Sequence, residues 1–184
     1  MRLDPVYAKF YNNVRDGGSM GTREEKLQEL GITLPTAGSP AANYANFFIV
    51  GGLLFVSGKG PSGGPRGKLG IDYTTEEGYQ FARSAAIEVL AVLKEAVGSL
   101  DAVKRAVKVQ GFVNAGPEFS EHHIVINGYS DLINAVFSES GGHARSVLGA
   151  VSLRNQLPVV VDAIFELYPA AGGDFVNEDG HRFV

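Results

Sequence analysis

The chain has 184 residues, 45% hydrophobic and 20% charged, with 16 basic against 20 acidic side chains for a net charge of −4 and no cysteine. That length suits one globular domain with a sizeable core, and no apolar run reaches the roughly 18 residues that span a bilayer. Without cysteine there are no disulfides, thiolate nucleophiles, zinc ribbons or iron–sulfur clusters, and the acidic balance without a basic run argues against non-specific nucleic-acid binding.

Residues 1–19 show no sustained period and end on Gly17-Gly18-Ser19, which reads as a leader or added segment without order. Charges at Arg2, Asp4, Lys9, Arg15 and Asp16 leave no apolar signal-peptide core, so a cytoplasmic location is expected. The domain is expected over 20–168 and a polar tail over 169–184. Thr22 with Glu25 forms a capping box ahead of Leu27, Leu30 and Gly31, predicting a short helix. Pro35, Gly38 and Pro40 then keep the chain extended.

From Tyr44 to Ser57 two apolar strands meet at Gly51-Gly52, a tight hairpin. A second capping box, Thr74 with Glu77, opens a helix of about five turns that closes at Gly98. Ala82, Ala85, Ala86, Val89, Leu90 and Leu93 mark its buried face. Val103 to Asn114 alternates as a half-exposed strand, and a further helix runs from about Ser120 to Ser138. The last third gives two strands, Arg145 to Leu153 and Val159 to Leu167, which the short connection predicts to be a hairpin.

The order is β-β-α-β-α-β-β: an α+β domain with a mixed sheet and its helices on one face. Val147, Val151, Val159, Val161 and Phe165 offer apolar side chains to both faces of the last strands, which predicts self-association over an uncovered face.

Gly58-Lys59-Gly60-Pro61-Ser62-Gly63 matches a dinucleotide fingerprint in letters but not in context, since prolines rather than a helix start follow it. His122 and His123 diverge by about 100° on a helix and do not chelate together, so no metal site is expected. His143, beside Gly141-Gly142, reads as a loop residue or as a hydrogen-bond donor in a site. Arg145 opens an apolar strand, where its planar fork suits a carboxylate. The alternative is an internal ion pair with Glu166, which a terminal hairpin would bring near. Asp162 interrupts the apolar run Val159 to Leu167 and needs a partner or an interface if buried.

Two stretches resemble the YjgF/YER057c/UK114 family, also called the reactive-intermediate (imine) deaminase family: Pro40 to Pro61 and His143 to Leu167. The first is similar to the family's block ending Val-Ser-Gly-Gln, the second to its Pro-Ala-Arg signature. The segment Asn127-Gly128-Tyr129-Ser130-Asp131 looks like the longer branch, called endoribonuclease L-PSP-like. The resemblance implies a chorismate-mutase-like mixed sheet with two helices on one face, assembled as a homotrimeric barrel. Its ligand sites would lie in clefts between subunits, binding small carboxylates, keto- or imino-acids without a cofactor or metal.

Carried over by position, the resemblance makes Tyr44, Ser57, Gly58 and Asn127 ligand-binding residues and Arg145 the carboxylate-binding arginine. It implies hydrolysis of enamine or imine intermediates of the 2-aminoacrylate type to 2-keto acids and ammonia. The family's catalytic glutamate falls on Val160, which carries no proton. Asp162, two residues on, is the candidate substitute, about 7 Å along the strand. Arg154 stands where the family has proline. A non-catalytic metabolite binder is the alternative, with endoribonuclease behind both.

Overall fold

A computed structural model describes residues 22–138 and 141–169. The expected leader, 1–19, and all but the first residue of the expected tail lie outside the described residues. Thr22 and Glu25 cap helix α1 (Arg23–Glu29) reciprocally, as the spacing predicts. Strands β1 (Phe47–Val50) and β2 (Leu53–Lys59) pair antiparallel, with Val50 opposite Leu53. Gly51 and Gly52 both take positive φ, 54° and 74°, the backbone that a two-residue hairpin of this hand requires.

Helix α2 (Thr75–Val97) starts from the Thr74–Glu77 capping box and ends at Gly98. Its 23 residues make about six turns, one more than the periodicity suggests. Strand β3 (Val103–Asn114) precedes helix α3 (His122–Val136), and β4 (Ala144–Ala150) and β5 (Val159–Leu167) complete the chain. The sheet order is β1-β2-β5-β3-β4, mixed, with β3 and β4 parallel and the other pairs antiparallel.

The expected terminal hairpin does not form: β3 lies between β4 and β5. The turn linking them has to cross two strand spacings, roughly 10 Å, which a few residues span easily. A short connection therefore does not oblige neighbours in sequence to pair.

Both long helices cover one face of the sheet. Their crossing is close because Gly128 has no side chain; a Cβ there would sit 2.0 Å from the Tyr79 carbonyl oxygen. Leu54, Val56, Val109, Val113, Val161 and Phe165 meet Ala82, Ala86, Val89, Leu90, Ile126 and Leu132 in one core. Burial on β5 alternates strictly, so Val160, Asp162, Ile164 and Glu166 point to the other face. That face exposes Phe48 (66%), Phe55 (38%) and Leu148 (46%). Among the described residues no helix is long and apolar enough to cross a membrane.

Candidate functional site

The predicted site residues fall into two groups on different parts of the sheet. The first surrounds Arg145. β4 is an edge strand paired only through β3, with Arg145 opposite Val109, a core residue of the helix-covered face. The guanidinium is therefore turned toward α3. Its Nη1 donates to Asn127 Oδ1 at 3.0 Å and to Ser130 Oγ at 2.9 Å, and Nη2 donates to the His123 carbonyl at 3.2 Å.

Asn127 and Ser130, three residues apart, share one face of α3 and so reach the same nitrogen. An arginine has five N–H donors, of which three are used among the described residues, leaving the Nε hydrogen and one on Nη2. Among the described residues no carboxylate pairs with Arg145.

The internal ion pair with Glu166 is thereby overturned. Glu166 accepts from Lys104 Nζ at 2.6 Å and lies 2.8 Å from Arg105 Nε, and these bases hold its carboxyl below the usual range. With β3 between β4 and β5, the register that would bring Arg145 to Glu166 does not exist.

His143 joins the first group. Its Nε2 lies 3.0 Å from Ser130 Oγ. That oxygen accepts from Arg145 as well, so Ser130 links the guanidinium to the imidazole. Nδ1 is buried without a hydrogen-bond partner among the described residues. Burial, and then the neighbouring Arg145 charge, push the His143 pKa down, so the ring is neutral near pH 7. Ser130 was not among the sequence candidates; the signal that could have found it is its spacing of three from Asn127.

The second group lines an open groove of about 710 Å³. Tyr44, Ser57, Gly58 and Asp162 are on its wall, together with Phe55 and Arg154. Ser57 and Gly58 occupy a β-bulge: pairing runs from Val56 opposite Ala163 to Lys59 opposite Val161, one residue longer on β2. The Ser57 hydroxyl donates to the Ala45 carbonyl at 2.7 Å, and Ser57 N–H to the Asn46 carbonyl at 2.9 Å, tying the bulge to the segment that carries Tyr44. The Tyr44 hydroxyl accepts from the Ala41 N–H at 3.2 Å.

Val160 abuts the bulge, since a Cβ on Gly58 would lie 2.8 Å from its Cγ1. Asp162 faces the groove opposite Gln110 of β3. Burial pushes its carboxyl pKa up, and Lys108 partly offsets this.

The two groups do not meet within one protomer. Three strand spacings separate β4 from β2, roughly 14 Å, and Arg145 and Asp162 belong to opposite faces. The glycine-rich run after Gly58 opens no helix, the next being α2 at Thr75, so it lacks the phosphate-binding geometry its letters suggest.

This mixed sheet with two covering helices, a partly satisfied arginine on the edge strand β4 and a bulged serine–glycine pair on β2, defines a YjgF-like domain. Residues 24–166 match the family described as "YjgF/chorismate_mutase-like, putative endoribonuclease", and the chain belongs to that family. It is similar to Protein TCP17 of Trypanosoma cruzi, 45% identical over 146 residues, covering 77% of this chain and 91% of that protein. The crystal structure of Atu1372 from Agrobacterium tumefaciens, a protein of unknown function, is similar at 43% identity and a TM-score of 0.73, covering 79% and 92% of the two chains. A Shewanella oneidensis protein, described as a "putative endoribonuclease", superposes with a TM-score of 0.77 at 33% identity, covering 80% and 100%.

Proposed function

We propose that this protein binds small carboxylate metabolites in clefts formed where copies of the chain meet, as a homotrimer. The observation that carries this is Arg145: a guanidinium anchored on one side by Asn127, Ser130 and the His123 carbonyl, with two N–H groups unused and no carboxylate beside it among the described residues. A planar fork left open in this way suits a carboxylate. The separation of Arg145 from Ser57 within a protomer, and the apolar face carrying Phe48, Phe55 and Leu148, support assembly: a neighbouring copy would cover that face and bring a second chain's groove to Arg145.

In such a cleft the reaction is hydrolysis of an enamine or imine. An enamine first shifts a proton from nitrogen to its terminal carbon to become the imine; water then adds to the C=N carbon, its protons pass to the nitrogen, and the carbon–nitrogen bond breaks to give a 2-keto acid and ammonia. Arg145 holds the substrate carboxylate while Tyr44, Ser57 and Gly58 shape the wall. Val160 supplies no proton. Asp162, whose carboxyl burial keeps protonated to a higher pH than usual, is the group on the groove wall suited to act as the acid.

A second reading, binding without turnover, is favoured by one contact: Val160 fills the space beside Gly58 where a carboxylate would be needed. One experiment separates them. Hydrolysis of 2-aminoacrylate generated in situ is followed for wild type, Arg145→Ala, Asp162→Asn and Val160→Glu at matched concentration. Turnover lost in Arg145→Ala and Asp162→Asn supports the deaminase. Wild-type silence with a gain in Val160→Glu supports a binding pocket. Light scattering on the same samples should give three times the protomer mass; a monomer would overturn the assembly.

A further inference from the structure

The groove contains a cation that the proposed reaction leaves unused. Arg154 opens the 3₁₀ turn Arg154–Gln156 and lines the groove with Tyr44, Ser57 and Asp162. It is exposed, and among the described residues its guanidinium has neither an ion pair nor a hydrogen-bond acceptor.

The turn that presents it is unusual. Asn155 and Gln156 have φ of 53° and 58°, two successive non-glycine residues in the left-handed region. Such backbone persists only where surroundings over-determine it, and it concentrates at ligand-binding positions. Here the surroundings are explicit. The Gln156 carbonyl accepts from Gly67 N–H at 2.9 Å, Gln156 N–H donates to the Leu153 carbonyl at 3.0 Å, and Leu157 N–H donates to the Arg154 carbonyl at 3.1 Å. Asn114, fully buried at the end of β3, donates through Nδ2 to the Gly67 carbonyl at 3.2 Å and to Gln156 Oε1 at 3.5 Å. A buried polar side chain thus clamps the turn from below, and the residue at its start is an unpaired arginine on the groove wall.

Asp162, on the same wall, has Lys108 as its charged neighbour, and among the described residues no ion pair joins it to Arg154.

We propose that Arg154 receives a second acidic group of the ligand, so that the cleft between copies selects small 2-keto or imino acids with two carboxylates, one held by Arg145 of one copy and the other by Arg154 of its neighbour. This rests on the carboxylate site proposed above. A dicarboxylate gains a second charge-assisted fork that a monocarboxylate cannot use, enough for a preference on the order of tenfold.

The test is calorimetric titration of the assembled full-length protein with 2-ketobutyrate as the monocarboxylate and 2-ketoglutarate and oxaloacetate as dicarboxylates. Wild type, Arg154→Gln, Arg154→Lys and Arg145→Ala are compared by the ratio of monocarboxylate to dicarboxylate Kd. The expected ratio is about ten or more in wild type, intermediate in Arg154→Lys, and close to one in Arg154→Gln, with both ligand classes lost in Arg145→Ala. A wild-type ratio near one, or a ratio that survives Arg154→Gln, overturns the role of Arg154 while leaving the carboxylate site standing. Failure of wild type to bind either class overturns both.

Discussion

Ser130 Oγ accepts from Arg145 Nη1 at 2.9 Å, so a helix hydroxyl helps fix the orientation of the strand's guanidinium. With Asn127 one turn earlier on α3, both hydrogens of Nη1 are committed to protein acceptors and the open N–H groups face elsewhere. Ser130→Ala removes an acceptor for Arg145 and the partner of His143 Nε2 at once. Leaving such part-buried groups unpaired costs about 1–3 kcal/mol. Urea denaturation should register that loss, and the Kd for 2-ketobutyrate should rise roughly fivefold, the equivalent of about one hydrogen bond. Ser130→Thr, which keeps the hydroxyl, should recover most of the affinity; equal weakening in both variants would point to packing instead.

His143 makes stability depend on pH. Burial first, then Arg145, hold its pKa below the unfolded value of 6.5. In the window between the folded pKa and about 6.5 the unfolded chain binds a proton that the folded chain does not, so stability falls as pH is lowered through it. Above about 6.5 this contribution is complete. Urea midpoints taken from pH 7.5 to 5 should decline for wild type, and the decline should be shallower for His143→Gln. Parallel curves for the two proteins would show that His143 is not the group responsible.

The elements were legible because their signals are local. Thr22–Glu25 and Thr74–Glu77 are capping boxes in letters and in hydrogen bonds, and Gly51-Gly52 specifies its turn through positive φ at both positions. Sheet order is non-local, which is why β4 and β5 looked like a hairpin: the eight residues between them say nothing of the strand β3 that separates them. That one mistake carried the Arg145–Glu166 pair with it. The individual candidates Tyr44, Ser57, Gly58 and Asp162 do share a groove, and Arg145 does meet Asn127. Their division into two groups followed from strand order, and so was invisible to spacing along the chain.

Phe55 lies on the open face of β2, opposite Phe48 of β1 and Ile164 of β5, and is 38% exposed. Its neighbours make a continuous apolar patch rather than a scattered residue. Phe55→Asp would place a charge there without disturbing the helix-covered core. If copies of the chain meet on this face, light scattering should show the variant shifted to protomer mass at micromolar concentration, with a far-ultraviolet dichroism spectrum like that of wild type. A variant of wild-type mass would locate the contact elsewhere.

Gly58 and Val160 test whether the bulge and β5 form one tight unit. A Cβ at 58 would stand 2.8 Å from Val160 Cγ1, closer than carbon atoms approach. Val160 is β-branched on a central strand, so its χ1 cannot relax freely. Gly58→Ala should therefore destabilise by about 1–3 kcal/mol, the usual cost of overpacking. Val160→Ala removes the opposing methyl groups, and the double variant should recover much of the loss, giving a coupling of roughly 0.5–3 kcal/mol in a double-mutant cycle followed by urea denaturation. Additive losses would mean that Gly58→Ala acts through the backbone of the bulge. Positions 160 and 162 share one face of β5, so Val160→Glu and Asp162→Asn should be non-additive in the 2-aminoacrylate assay.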